Sequence, residues 1–358
     1  MSKDYVRGPS YPAARTVAQK LEALVSGSTP FEDFADAPRL DAAAMEEVIT
    51  TAFWASLRRE EGHTPKISVA CLPPEGTAKP VRFDPRLRLE AELLSRLAPA
   101  VESPGIHIGA WTHDDALYVW GITRTVPTSC FVIEVVGPGL LVVKYRRSEP
   151  STKFGNIAVL EGADVKFIEQ QSTMISEAPP ALGSLLAFYT SAGRNDSDNV
   201  LVQIAIEMRA HGRGGSLLVV PKNSTRWMNS MVQPLRYSVL PPFLECAVEA
   251  LAGLTAVDGA TVITDHFEPL TFGAKIVTRD SVRRVDQILL TEPIEGVRDI
   301  IVDPAQLGGT RHLSAAQFAH DQQNSVALVA SQDGRFTVFA WSTRHNMVHA
   351  HRLDALLI

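Results

Sequence analysis

The chain has 358 residues, 45% of them hydrophobic and 21% charged, which excludes a mostly disordered or fibrous protein and allows two modest domains. Its formal net charge of −6 gives no general attraction to a phosphate backbone, so long nucleic acids are not expected partners and any anion site must be a local basic pocket. The three cysteines, Cys71, Cys130 and Cys246, lie far apart without paired spacing, which fits reduced thiols in a cytoplasmic protein better than a disulfide framework.

In chain order, the polar first 16 residues lack the apolar run of a secretion signal, and the most apolar runs, at 131–136 and 140–143, are too short to span a bilayer. No membrane association is expected. Residues 1–64 read as a helical arm. Asp41 is placed to cap a helix that carries Met45, Val48, Ala52, Phe53 and Leu57 at helical spacing and stops at Gly62. Residues 65–170 turn to short β-rich runs at 67–71, 116–122, 130–136, 140–145, 157–160 and 165–168, with Gly137-Pro138-Gly139 as a hairpin turn. Residues 171–198, with Pro179-Pro180 and a polar stretch, read as a linker.

Residues 199–345 alternate helix and strand. A helix with Val202, Ala205, Ile206 and Met208 on one face ends at Gly212 and precedes a buried strand at 216–220. A helix with Leu244, Val248 and Leu251 precedes a strand at 261–264, and a helix at 314–322 precedes strands at 326–330 and 336–341. The order predicts an α/β (α+β) fold: a carboxy-terminal mixed sheet covered by helices, after a smaller β-rich module with amino-terminal helices.

Three segments carry chemistry. Asp258-Gly259-Ala260 lies at a helix-to-strand junction, where the bland reading is a turn and the functional one a carboxylate exposed to a ribose hydroxyl. Gly308-Gly309-Thr310-Arg311-His312 precedes a helix; its glycines let the backbone approach an anion, and Arg311 can hold two phosphate oxygens. Ser331-Gln332-Asp333-Gly334 reads as a tight turn between strands.

Taken in order, these segments resemble those of the DisA-type diadenylate cyclase domain, which joins two ATP molecules into cyclic di-AMP. Asp258-Gly259-Ala260 matches its Asp-Gly-Ala motif, and Gly309-Thr310-Arg311-His312 matches its Gly-Thr-Arg-His-Arg motif up to the last residue. The resemblance implies that Asp258, Gly259 and Ala260 meet the ribose, that Gly309, Thr310, Arg311 and His312 cradle phosphates, and that Ser331 belongs to the same site. Leu313 stands in place of the second arginine, and Gln332 in place of the first glutamate of the acidic turn, leaving Asp333 as the candidate metal ligand. Residues 278–307, with Arg279, Arg283 and Arg284, form an insertion.

A site short of its metal carboxylate should bind better than it catalyses. The pattern is similar to divergent DACNV-type relatives proposed as nucleotide sensors, and residues 117–161 resemble that group's amino-terminal region. The implied function is a nucleotide sensor that binds ATP or a cyclic dinucleotide without a metal cofactor. One alternative is an active cyclase with Asp258 as catalytic base and Mg²⁺ or Mn²⁺ bound. Another is a scaffold without ligand. Further partners implied are a second copy of the chain and an effector protein.

Elsewhere, His345, His349 and His351 read as a solvated tail rather than a metal site, and His107, His113, Asp114 and Asp115 as an acidic loop. Trp111 and Trp120 fit either core packing or a stacking surface. No serine–histidine elbow, Walker loop or Rossmann fingerprint is present.

Overall fold

A computed structural model describes residues 9–26, 39–59, 64–146, 154–169, 200–232, 235–236, 245–277 and 284–357, so the expected linker at 171–198 lies outside the described residues. The chain divides into two units, Met1–Ile168 and Glu169–Ile358. The fold is of the α+β kind, each unit a mixed sheet with helices. Among the described residues no helix is long and apolar enough to cross a membrane.

In the first unit, helices α1 (Pro12–Ser26), α2 (Ala42–Ser56) and α3 (Ala91–Val101) accompany strands β1 (Ile67–Cys71), β2 (Val81–Arg88), β3 (His107–His113), β4 (Ala116–Thr123), β5 (Phe131–Gly137), β6 (Leu140–Arg146), β7 (Phe154–Glu161) and β8 (Asp164–Phe167). The sheet order is β2-β4-β3-β1-β5-β6-β7-β8, with only β1 and β3 parallel. Alternate residues of each strand face opposite sides. Val69 and Ile133 join Val48, Ile49 and Leu94 of the helices in one core, whereas Ala70 and Val132 pack with Leu72 and Trp120 in a second cluster. The helices of residues 1–64 therefore share the sheet's core.

Asp41 Oδ1 accepts from the Ala44 amide at 2.8 Å, the cap read from the sequence, but α2 ends at Ser56 with Leu57 as its C-cap. Arg58 to Glu61 offer no apolar residue to hold a further turn against the sheet. The Gly137–Gly139 turn joins β5 to β6 as its pattern predicts.

In the second unit, α4 (Val200–Ala210), α5 (Glu245–Thr255) and α6 (Thr310–Asp321) surround β9 (Gly215–Val220), β10 (Met231–Val232), β11 (Leu235–Arg236), β12 (Ala260–Thr264), β13 (Pro269–Ile276), β14 (Ile288–Thr291), β15 (Ile300–Val302), β16 (Val326–Ala330), β17 (Phe336–Ser342) and β18 (Met347–Arg352). The order is β10-β13-β12-β9-β16-β17-β18-β14-β15, with β11 also on β13. Every residue of β9, β12 and β16 is buried, so both faces of the central sheet are covered. Phe318, Ala315 and Ala319 of α6 pack with Leu218, Val262 and Val329, while α4 packs against α5 and both contact the sheet.

The helix face read as Val202, Ala205, Ile206 and Met208 is corrected at one position: Ile204 is buried and Ile206 is 41% exposed. The insertion at 278–307 extends the sheet edge, β14 lying parallel to β18 and antiparallel to β15; Arg279 and Arg283 lie outside the described residues. Met347–Arg352, beyond the expected boundary at 345, pairs with both β17 and β14.

Candidate functional site

Strand directions build the site. β9 and β12 run parallel, β16 runs antiparallel to β9, and β13 runs antiparallel to β12. The first residues of β9 and β12 therefore lie beside the last residues of β13 and β16. The amino-terminal turn of α6 completes a cleft of about 790 Å³, lined by Ser216, residues 258–260, 274–276, 307–312 and 314, residues 329–333, and Arg335. Asp258, Gly259, Ala260, Gly309, Thr310, Arg311, His312, Ser331 and Asp333, all singled out in the sequence, line this one cleft.

Local packing fixes each segment. Gly259 has φ +109°, and a Cβ there would lie 2.5 Å from the Gly273 carbonyl carbon, so the turn from α5 into β12 admits only glycine without strain. Asp258, presented by that turn, is 88% exposed in its side chain. Gly309 is the N-cap of α6 and Thr310 its first residue, four positions before the sequence-read start, so the Gly-Thr-Arg-His run is the helix's first turn rather than a loop before it. The free amides of a first helical turn and the positive end of the dipole face an anion. The Ser331 amide donates to Arg335 O at 2.8 Å and the Gly334 amide to Ser331 O at 3.2 Å, closing the expected β16–β17 turn.

His312, which the resemblance implies is one of the residues cradling phosphates, is buried in the first turn of α6. It is 2% exposed, and its ring lies so close to Gly308 that a Cβ there would meet Nδ1 at 2.4 Å. Burial holds the imidazole below the ordinary histidine value, with Asp333 opposing and Arg352 and Arg335 reinforcing the shift. A neutral ring brings no charge to a phosphate. Its buried Nε2 has no hydrogen-bond partner, leaving one unsatisfied polar atom on a residue of the cleft wall.

Two charged residues of the cleft were not legible in the sequence. Lys275 Nζ lies 3.3 Å from Asp258 Oδ2, and Arg335 Nε lies 3.3 Å from Asp333 Oδ2. The signal for Lys275 was the alternation of residues 270–276, a strand not recognised as one. Arg335 stood two positions after an assigned carboxylate. Among the described residues no ion pair engages Arg311, which leaves that guanidinium for a ligand. Both cleft carboxylates stand beside cations, and among the described residues no three His, Cys, Asp or Glu side chains gather as a metal cage. Ala274, Ile276, Leu307 and Val329 supply an apolar wall.

Of the histidines read as a solvated tail, His345 is exposed in the turn before β18, but the other two belong to the sheet. His349 and His351 lie on β18 with ring centroids 3.9 Å apart, and His351 is buried. Thr291 Oγ1 donates to Asp299 at 2.7 Å and sits 2.6 Å from His349 Nε2. His107 is likewise buried on β3, 2.7 Å from Ser68 Oγ, whereas Asp114 and Asp115 form a β3–β4 turn with φ of +47° and +59°. Trp120 is core: its Nε1 donates to Leu72 O at 2.7 Å and its ring occupies the space a Cβ at Gly109 would need. Trp111 lines a small cavity of about 110 Å³.

Comparison with known families bears on the first unit. Residues 33–124 match the family described as "Probable sensor domain DACNV". The DACNV match thus falls within Met1–Ile168, ahead of the cleft in sequence, and supports a sensor role. It includes β1 to β4, α2 and α3. No curated protein matches the chain. Among solved structures, a hypothetical membrane spanning protein from Bacillus cereus is similar at 16% identity and a TM-score of 0.30, covering 47% of this chain and 71% of that one.

Proposed function

We propose that the carboxy-terminal unit is the nucleotide-binding part of a sensor protein, taking an adenine nucleotide or cyclic dinucleotide in the cleft and passing the bound state to a partner. The supporting observation is that one cleft gathers three segments far apart in sequence, each suited to a different part of a nucleotide. The amides of residues 309–311 and the Arg311 guanidinium suit phosphate oxygens. Asp258 suits a ribose hydroxyl, and the wall of Ala274, Ile276, Leu307 and Val329 suits a flat base. The volume of about 790 Å³ lies within the range of small-molecule sites.

Binding without turnover is the reading the charges favour. Metal-assisted phosphoryl transfer needs carboxylates to hold the ion, and the neutral Gln332 stands where the resemblance implies the first glutamate of the acidic turn, leaving Asp333 alone there. Incubation of the purified protein with ATP and Mn²⁺, followed by mass spectrometry, tests this. The expected result is no cyclic di-AMP and a nucleotide retained in an Arg311-dependent manner. Product formation that stops in Asp258→Asn would instead establish a cyclase.

A further inference from the structure

On the reading of the cleft as a nucleotide site, we propose that Lys275 is a second anion-binding residue, which selects nucleotides carrying a phosphate on each side of the ribose. The cleft's cations stand on three different elements. Arg311 lies in the first turn of α6, Arg335 follows the β16–β17 turn, and Lys275 lies near the end of β13. Arg335 is held by Asp333 on its own turn. The phosphate end of a nucleotide has its place at the amides of α6 and Arg311, and no role there remains for Lys275.

Lys275 stands instead beside the residue that faces the sugar. Its Nζ is 3.3 Å from Asp258 Oδ2, so a group on the ribose edge that bonds to Asp258 lies within about 6 Å of the ammonium, in reach of a flexible lysine side chain. Both side chains are largely solvated, 54% exposed for Lys275 and 88% for Asp258, and a pair of that kind contributes little to folding. It therefore separates at small cost. The carboxylate accepts from a ribose hydroxyl while the flexible ammonium turns to a phosphate oxygen on the same edge, a contact that does not depend on the bidentate geometry an arginine requires. A nucleotide with phosphate at its 5′ side alone gives Lys275 nothing to hold. One with a further 3′ phosphate, free or within a 3′,5′-linked dinucleotide, engages both cationic ends of the cleft.

Calorimetric titration of the full chain with AMP and with adenosine 3′,5′-bisphosphate tests the assignment. The wild-type protein is expected to bind the bisphosphate about ten-fold more tightly than AMP, the size of one charge-assisted contact. Lys275→Gln should bring the two affinities to within about two-fold of each other, and Lys275→Arg, which keeps the charge, should preserve the preference. Melting temperatures close to wild type, as the exposure of Lys275 predicts, identify the effect as local. Equal affinities in the wild type, or a preference that survives Lys275→Gln, would overturn the assignment and leave the nucleotide site standing. Failure of both nucleotides to bind the wild type would overturn the nucleotide reading and this inference together.

Discussion

Gly259 and Lys275 show, at the scale of single residues, what the sequence displays and what it hides. An Asp-Gly pair signals a turn by its chemistry alone, and the structure adds that Gly259 sits at φ +109° against the Gly273 backbone. Gly259→Ala should therefore destabilise the protein by about 1–3 kcal/mol, read as a lower urea midpoint with an unchanged slope. Lys275 was illegible because its meaning lies in a neighbour 17 positions away in sequence and 3.3 Å away in space. His312 was legible as a motif residue but not in its surroundings. Only the fold shows it buried, neutral and seated over Gly308. The cysteines follow similar logic. Cys71 and Cys130 are buried, and burial pushes the Cys130 thiol up to about 12 and the Cys71 thiol well above its usual value. Both should escape iodoacetamide at pH 8 in the native protein and react in denaturant, as peptide mass spectrometry will show; labelling of the native thiols would mean this core opens readily.

Elements that were legible had a single, uninterrupted pattern. The runs that became β9, β12, β16 and β17 are continuous and apolar because these strands are covered on both faces, and the α2 cap was a lone aspartate ahead of a periodic helix. β2 was missed because it is a mostly exposed strand at the sheet edge, broken in register around Pro85. α3 carries Pro99 inside it, and β18 was hidden by histidines in positions that strands usually give to apolar residues. Those histidines make β18 sensitive to acid. Burial lowers His349 to about 4, and His351 well below the usual value. Between pH 6.5 and 4 the unfolded chain binds protons that the folded chain refuses, so stability is level above about 6.5 and falls as pH drops toward 4. His349 alone accounts for roughly 3 kcal/mol over that interval. Urea unfolding at pH 7.5, 5.5 and 4.5 should show the decline, and a flat profile would mean these imidazoles titrate normally in the fold.

On the scale of the whole molecule, the order of helices and strands gave the fold class, whereas the sensor signature at residues 33–124 overlaps only the start of the 117–161 region read as similar, and it falls in the first unit while the cleft lies in the second. A chain of net charge −6 that binds anions does so through local fields. Lys275, Arg311 and Arg335 outnumber Asp258 and Asp333 by one around the cleft. Nucleotide affinity should therefore fall as NaCl rises from 50 to 500 mM, an estimate on the scale of Debye screening at exposed sites. Gln332 leaves the turn without the first carboxylate that the resemblance implies, so EDTA in place of Mg²⁺ should leave affinity within about two-fold; a much larger loss would show that a metal completes the site. The most direct test is calorimetric titration of ATP into the wild-type chain and Arg311→Ala in EDTA. Saturable binding that Arg311→Ala weakens at least about ten-fold, at an unchanged melting temperature, is the predicted result. Absence of binding to the wild type, or equal binding by the two proteins, would contradict it.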